Sequence, residues 1–312
     1  MSEGDWVRNL DEQGIWTVEH FLTQERGEPT RHSTQGGIPQ STPALQALTA
    51  HVQRNCAPAA ANGCQLEEQL RRTKFIRTGF QRVDEMLGGG LRGAQVTEIT
   101  GASSSGKTQL CLTTAAVLGS TSEGRVFYID STNSFAAARV AEILTKARRS
   151  QQGGSLHQTL SKIHVYKVHD AYELQDVLEG LERFLGRQNN ALIIIDSLSL
   201  CIAPLLGGSQ IQGHAVMTSI GKMLHRIASE TGAAILYTNH TVADRSQETM
   251  TSGHMECKPA LGHTWRSQPH LRIQLFKEVN QSHQEEGKVL ARVLHGGPAM
   301  EASFYPGQEV RL

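Results

Sequence analysis

The 312-residue chain has no excess charge of either sign, since 30 lysines and arginines balance 30 aspartates and glutamates. No bulk field therefore draws it to nucleic acid or to a membrane, and any such binding must come from a local basic patch. Aromatic residues are also scarce, at 5%. The 38% hydrophobic and 19% charged fractions are ordinary for a globular protein, and the length accommodates one large α/β domain with a small one beside it.

Long apolar runs and paired cysteine spacings are missing as well. No stretch reaches the roughly 18 apolar residues that a membrane-spanning helix needs, and residues 1–10 carry acidic residues where a secretion leader has an apolar segment. The five cysteines have no C-x-x-C spacing, which is typical of unpaired thiols in a reducing compartment. We expect a cytosolic or nuclear protein with no membrane partner.

The sequence does contain a complete G-x-x-x-x-G-K-[ST] phosphate-binding loop at residues 101–108. β-Rich residues 96–100 precede it and a helical pattern over 108–118 follows it, which is the context that the motif requires. Backbone N–H groups of such a loop converge on an anion at the positive end of the following helix. Lys107 would bridge the outer phosphates and the Thr108 hydroxyl would hold Mg²⁺. The predicted nucleotide-binding residues of this segment are Gly101, Ser103, Ser104, Ser105, Gly106, Lys107, Thr108 and Gln109.

Beyond the loop, apolar strands alternate with helical patterns. Strands are predicted at 125–130, 163–168, 191–196 and 233–238, and helices at 137–149, 171–185 and 213–229. This alternation predicts an α/β fold with a mostly parallel sheet covered on both faces. Residues 271–276 and 289–294 predict a C-terminal antiparallel hairpin. Short helical patterns predict a small N-terminal helical domain and linker at 1–70, ahead of a nucleotide-binding core at 71–312.

Polar residues close three of the predicted parallel strands, at the edge where ligands of open α/β sheets bind. Asp196 ends the most apolar strand, where a Walker B carboxylate orients a water on Mg²⁺; capping the next helix is the alternative role. Asn239 and His240 end the strand at 233–238, where they can sense the γ-phosphate. For His240, an ordinary loop histidine remains equally open. Asp130 ends the third strand.

The combination of these segments resembles the RecA-like strand-exchange recombinases of eukaryotes and archaea over residues 70–300. Their core runs T-G-x-x-x-L-D-x-x-L-G-G-G, a phosphate loop ending G-K-T-Q, Y-I-D-T-E-G-x-F, a Walker B strand and T-N-Q. The resemblance implies a RecA-like P-loop ATPase core that binds ATP, with Mg²⁺ at Thr108 and Asp196. The matching positions here are Thr78 and Gly79, Val83 and Asp84, 87–90, 106–109, 128–135, 192–197 and 238–240.

Three departures from the family's pattern bear on activity. The carboxylate with which the recombinases activate the attacking water falls on Thr132, and a hydroxyl cannot serve as that base. The resemblance therefore implies at most weak, DNA-dependent ATP hydrolysis, with the nucleotide acting chiefly as a switch. His240 replaces the glutamine of T-N-Q, and the F-x-x-A polymerisation motif is not evident at 57–77, which argues against long filaments of this chain.

Within that group, residues 204–208 and 258–265 look like those of the D-type recombinase paralogues. This resemblance implies a nuclear, ATP-binding and single-stranded-DNA-binding mediator of homologous recombination, which repairs DNA double-strand breaks. It also implies partners, namely other recombinase paralogues in a hetero-oligomeric complex.

In the recombinases, two loops at the carboxyl edge of the sheet face the DNA. The corresponding stretches here are 204–213 and 242–261, and the second contains the DNA-binding candidates Arg245, His254 and Lys258. These stretches are mildly basic and lack an aromatic stacking platform, so we expect phosphate contact without base reading.

Two other functions remain open. One is an assembly scaffold that uses ATP as a non-hydrolysed structural staple while other subunits bind DNA. The other is a KaiC-like or helicase-like ATPase with the same T-G and G-G-G signature, although a motor needs an efficient base and Thr132 argues against it. The basic residues Arg71, Arg72, Lys74 and Arg77 are interpreted as a solvated linker rather than a DNA or nuclear-import contact.

Overall fold

The computed structural model describes residues 62–148, 155–186, 190–206, 210–243, 257–262, 265–277 and 287–306. The chain divides into two units between Glu68 and Gln69. Residues 1–61 lie outside the described residues, so the N-terminal helical domain and the domain limits 1–70 and 71–312 stay predictions. Within the described ranges, no helix is long and apolar enough to cross a membrane.

The first half of the described chain leads from a helix at the predicted domain boundary to the first strands of the sheet. Its elements are α1 (Gly63–Arg72), β1 (Phe75–Ile76), α2 (Gln81–Met86), β2 (Leu91–Arg92), β3 (Val96–Gly101), α3 (Lys107–Ser120), β4 (Arg125–Asp130), α4 (Ala137–Arg148) and α5 (Leu156–Leu160).

The second half completes the sheet. Its elements are β5 (Ile163–Lys167), α6 (Ala171–Leu185), β6 (Ala191–Asp196), α7 (Leu198–Leu206), α8 (Gln210–Thr231), β7 (Ala234–Ala243), β8 (Cys257–Pro259), β9 (Leu271–Lys277), β10 (Val289–His295) and β11 (Glu301–Phe304).

One nine-stranded sheet lies at the centre, in the order β11-β10-β9-β3-β7-β6-β4-β5, with β8 paired to β7. Neighbours from β9 to β5 in that order are parallel, whereas β10 and β11 are antiparallel. This confirms the predicted α/β class, the mostly parallel RecA-like sheet and the C-terminal hairpin of β9 and β10. The sequence analysis missed β11, whose four residues are too few to show a period-two pattern.

Helices cover both faces of the sheet because its central strands are apolar on both sides. Every residue of β3 and β6 is buried, as expected for parallel strands covered on both faces. Along β6, Ile194 belongs to one hydrophobic core with α3 and α4, while Ile193 and Ile195 belong to the other with α6 and α8. The alternation of β6 side chains thus joins two cores across one strand.

Several predicted loop and linker segments are helical in the structure. The predicted 204–213 loop is wrong where it is described, because residues 204–206 end α7 and residues 210–213 begin α8. Arg71 and Arg72, interpreted as a linker, lie in the last turn of α1. In the 242–261 stretch, residues 257–259 form β8, which pairs antiparallel with the end of β7.

A carboxylate clasp explains the T-G-x-x-x-x-D spacing before the phosphate loop. Asp84 Oδ1 accepts hydrogen bonds from the backbone N–H and the hydroxyl of Thr78, both at 2.7 Å. Asp84 belongs to helix α2, which is followed by three glycines, 88–90, all with positive φ. At Gly90 (φ +123°), an added Cβ would lie 2.3 Å from the Ile76 carbonyl oxygen. The glycine is therefore required for the chain to enter β2.

Gly90→Ala should lower the free energy of unfolding by about 2 kcal/mol, because alanine adds left-handed backbone strain and a clash with the carbonyl. Gly180→Ala is the matched control, since an added Cβ in α6 meets nothing within 4 Å. It should be neutral or raise stability by about 0.5 kcal/mol. Denaturant titration of both variants gives the comparison, and equal stability of the two contradicts the assigned backbone conformation.

Candidate nucleotide site

The phosphate loop joins the end of β3 to the start of α3, and its geometry requires glycine at two positions. Gly106 has φ +96° and is the left-handed residue before α3. At Gly101, an added Cβ would lie 2.6 Å from both the Leu275 carbonyl oxygen and Ser105 Oγ. Ser104 also has positive φ, +60°. Gly101 is therefore required because there is no space for a Cβ atom, and Gly106 because of its left-handed backbone.

The start of α3 has the features of an anion site. No side chain caps this 14-residue helix at its N-terminus, so the first N–H groups have no capping acceptor. Ser105 Oγ is buried and has no hydrogen-bond partner among the described residues. A phosphate at this position would accept hydrogen bonds from these N–H groups and from the Ser105 hydroxyl, and the helix dipole would stabilise its negative charge. The residues present therefore fit a nucleotide phosphate.

Lys107 lies inside the loop, with only 6% of its surface exposed. Its ammonium donates to the carbonyl oxygens of Gly101, at 2.8 Å, and Ala102, at 2.7 Å. Burial lowers the pKa of Lys107 below its ordinary value, and the negative charge of Asp196 opposes that shift. The predicted phosphate-bridging cation and the predicted Walker B carboxylate are therefore electrostatic neighbours.

Asp196 ends β6 and is fixed by two hydroxyl groups. Thr238 donates to Oδ1 at 2.6 Å and Tyr128 donates to Oδ2 at 3.0 Å. Burial raises the pKa of Tyr128 well above its ordinary value, which keeps the phenol a donor. Thr108 is the second residue of α3. A hydroxyl and a carboxylate are the oxygen ligands that Mg²⁺ prefers, so this pair fits the predicted metal.

Thr132 lies beside Asp196, in a loop wrapped around Asp130. The Asp130 carboxylate accepts backbone N–H groups from Thr132 and Ser134, each at 3.1 Å, and from Phe135 at 2.9 Å. The Thr132 hydroxyl donates to Asp130 Oδ1 at 3.2 Å and lies 2.5 Å from Ser134 Oγ. Asp130, whose role the sequence analysis left open, therefore holds the loop that carries Thr132.

Asn239 and His240 have different surroundings despite being adjacent. Asn239 is fully buried, and its Nδ2 donates to Glu98 Oε1 at 2.7 Å, so its amino group is engaged by that carboxylate. His240 is half-buried, and burial together with the Lys107 ammonium lowers the pKa of its imidazole. The structure thus brings His240, but not the Asn239 side chain, to the lysine and Asp196.

A buried ion pair supports the strands behind the loop. Glu98 of β3 pairs with Arg272 of β9, and the two side chains are 0% and 5% exposed. Burial raises the pKa of Glu98, while Arg272 and Asn239 oppose that shift. The sequence analysis missed this pair. The signal in the sequence was a charged residue, Glu98 or Arg272, flanked by β-rich residues in each of the two strands.

The remaining predicted residues lie at the margins of the described site. Gln109 is in the first turn of α3, and its Oε1 accepts from Nε of Arg139 in α4 at 3.1 Å, a contact that the sequence analysis missed. Arg245 and His254 lie outside the described residues. Lys258 is in β8, where its backbone pairs with Val242 of β7.

Comparisons with known proteins agree with this geometry. The family model described as Rad51 matches residues 70–291. The chain is 34% identical over 281 residues to DNA repair protein RAD51 homolog 4 of Bos taurus, covering 87% of this chain and 81% of that protein. It is 34% identical over 221 residues to RAD51 homolog 4 of Mus musculus, covering 69% and 64%. It is 28% identical over 259 residues to RAD51 homolog 2 of Homo sapiens, covering 72% and 67%.

The proximity of Lys107 and His240 predicts a measurable electrostatic coupling. Lys107→Met should raise the pKa of His240 toward the ordinary histidine value of about 6.5, because removing the ammonium favours the imidazolium. Lys107→Arg keeps the positive charge and is the matched control. A histidine NMR titration, with the resonance assigned through His240→Gln, measures the shift. An unchanged His240 pKa in Lys107→Met contradicts the arrangement.

Proposed function

This chain belongs to the Rad51 family, and from that premise we propose that it is an ATP-binding, single-stranded-DNA-binding recombinase paralogue. It mediates homologous recombination repair of DNA double-strand breaks in the nucleus, within a hetero-oligomeric complex of other recombinase paralogues. The relatives named above as DNA repair proteins and RAD51 homologues support this reading. The observation that carries it is the glycine-bounded loop with Lys107 inside it and Asp196 beside it.

Different residues of the site would bind different parts of the nucleotide and its metal ion. Ser105 and the N–H groups at the start of α3 would hold phosphate oxygens, and Lys107, which donates to two loop carbonyl groups, would bind the outer phosphates. Thr108 and Asp196 would hold Mg²⁺, which when bound neutralises charge on the phosphate oxygens. His240, whose pKa is lowered by burial and by the Lys107 ammonium, would offer a neutral hydrogen-bonding group to the third phosphate.

We attribute weak hydrolysis to Thr132, which occupies the position of the carboxylate base in the recombinases. The Thr132 hydroxyl is engaged with Asp130 and Ser134, and both carboxylate oxygens of Asp196 already accept from Thr238 and Tyr128. A water at the third phosphate would therefore not be deprotonated by these groups. The bound triphosphate persists and acts as a switch.

A continuous strand provides the route by which that switch reaches DNA. β7 carries His240 and runs on to Ala243, where β8 pairs with it and carries Lys258. An interaction of His240 with the third phosphate would therefore bias the position of β8. The DNA candidates Arg245, His254 and Lys258 follow β7 in the chain, which couples nucleotide and strand binding topologically.

The scaffold alternative also has an observation in its favour, namely the replacement of the base by Thr132. In that case ATP stabilises the fold, and other subunits bind the DNA. Single-stranded-DNA binding by the isolated chain separates the two functions, because only the mediator binds it.

Lys107→Ala and Lys107→Arg should both weaken ATP binding at least about tenfold, since neither side chain can place an ammonium in the loop's interior. Both should fail to restore double-strand-break repair in a recombination reporter assay. Lys146→Ala, which removes an exposed lysine on α4, is the control that should retain both properties. Full repair by both Lys107 variants, with partner binding intact, contradicts the mediator and favours the scaffold.

Thr132→Glu should raise ATP turnover in the presence of single-stranded DNA by about 100-fold, because it restores a general base beside Asp196. Thr132→Gln has the same size but no basic carboxylate, and its turnover should stay at the unmodified level. Steady-state phosphate release measures all three proteins. A glutamate variant no faster than the glutamine variant shows that the missing base does not lie at this position.

A further inference from the structure

A polar pocket lies at the amino ends of the parallel strands, whereas the nucleotide site lies at their carboxyl ends. It is a cavity of about 360 Å³ lined by Lys74, residues 122–124, Arg125, Lys162 and Asn190. Arg125 begins β4, and Asn190 and Lys162 directly precede β6 and β5. Since β4 is six residues long, the pocket and the Asp130 end of that strand are separated by about 17 Å. We call this cavity the amino-edge pocket.

The lining of the amino-edge pocket carries an excess of positive charge. Lys74, Arg125 and Lys162 contribute three positive charges, and Glu123 contributes the one negative charge. Glu123 is already paired with Lys74, at 3.3 Å. The backbone N–H of Arg125 donates to the Asn190 carbonyl oxygen at 3.2 Å, but its guanidinium has no hydrogen-bond or ion-pair partner in the part of the chain that the structure describes. Its guanidinium is therefore available to an incoming anion.

The Lys162 ammonium offsets the negative electrostatic potential that the end of α3 would impose on an anion in this pocket. The pocket lies just beyond the C-terminal end of α3, where the helix dipole disfavours negative charge. The Lys162 ammonium donates to the carbonyl oxygens of Thr121 and of Ser122, the latter at 3.2 Å. It thus covers the exposed carbonyl groups with a fixed positive charge.

The composition of the lining also restricts the ligand's chemistry. Among the described residues, no hydrophobic one belongs to the lining, so its apolar surface comes from the carbon atoms of polar, charged and glycine residues. Most small-molecule pockets are instead lined by hydrophobic and aromatic side chains. The rim is open to solvent, because the Lys74 and Glu123 side chains are 48% and 72% exposed. A phosphate group within a longer chain can therefore enter without threading through a channel.

We propose that the amino-edge pocket binds phosphate, and that its ligand is the phosphodiester backbone of single-stranded DNA. The assignment to DNA rests on the proposed function, whereas the preference for phosphate follows from the lining alone. Arg125 provides the planar donor pair that suits phosphate oxygens, and Lys162 contributes a fixed charge behind it. This contact lies on a different edge of the core from Lys258, so a bound strand would touch the protein at two separated places.

The test measures binding of a fluorescent thymidine oligonucleotide to the full chain by anisotropy, across a sodium chloride series. Arg125→Gln should weaken binding about threefold, as expected for one exposed ionic contact, and should reduce the salt slope by about 0.7. Glu123→Gln should strengthen binding by a similar factor, because it removes the only negative charge of the lining. Arg183→Gln is the control, because it removes the same charge from an exposed side chain of α6, and it should change affinity less than twofold.

The opposite responses of Arg125→Gln and Glu123→Gln separate a binding role from a loss of folding, which cannot strengthen binding. If neither variant changes the affinity for the oligonucleotide, the proposal that the amino-edge pocket binds DNA is wrong. Absence of oligonucleotide binding by the unmodified chain contradicts the proposed function instead. A parallel titration uses inorganic phosphate with excess Mg²⁺ and ATP filling the nucleotide site. Phosphate binding that depends on Arg125, with oligonucleotide binding independent of it, identifies a free anion as the ligand and overturns the assignment to DNA.

Discussion

The structure depends on one constraint, the placement of a nearly buried ammonium inside a backbone loop at the end of a buried strand. Lys107 stays charged there only because carbonyl groups and the nearby Asp196 compensate for lost hydration. The loop can surround the ammonium because Gly101 leaves space for the backbone and Gly106 adopts a left-handed conformation. The same features make the loop a receptor for phosphate, which would replace those carbonyl groups as the partner of the lysine.

The strands behind the loop are tied together by buried polar contacts. Glu98 of β3 is bound by Arg272 of β9 and by Asn239 of β7, so three adjacent strands share one carboxylate. On the other side, Asp196 of β6 is bound by Tyr128 of β4 and Thr238 of β7. Removing one partner from such a buried pair leaves an uncompensated charge, which is more costly than the pair's net stabilisation. These contacts therefore fix the relative positions of the strand ends that form the site.

The elements with a strong periodic pattern could be predicted from the sequence, and those set by tertiary contacts could not. The phosphate loop, the apolar strands such as β6, and α6 each have a local signal and were found with nearly correct limits. The helical residues 204–206 were missed because the loop at 204–213 was taken from the correspondence with the recombinases, whereas Pro204 lies within α7. The direction of the Asn239 side chain depends on Glu98, which is 141 residues away in the chain. No local pattern contains that information.

We propose that the chain holds a nucleoside triphosphate at this loop and seldom cleaves it. The most direct measurement is the affinity for ATP and the rate of phosphate release of the purified chain, with and without single-stranded DNA. The structure predicts Mg²⁺-dependent ATP binding with slow release in both conditions. No affinity for adenine nucleotides, or turnover as fast as that of a motor ATPase, would contradict the account.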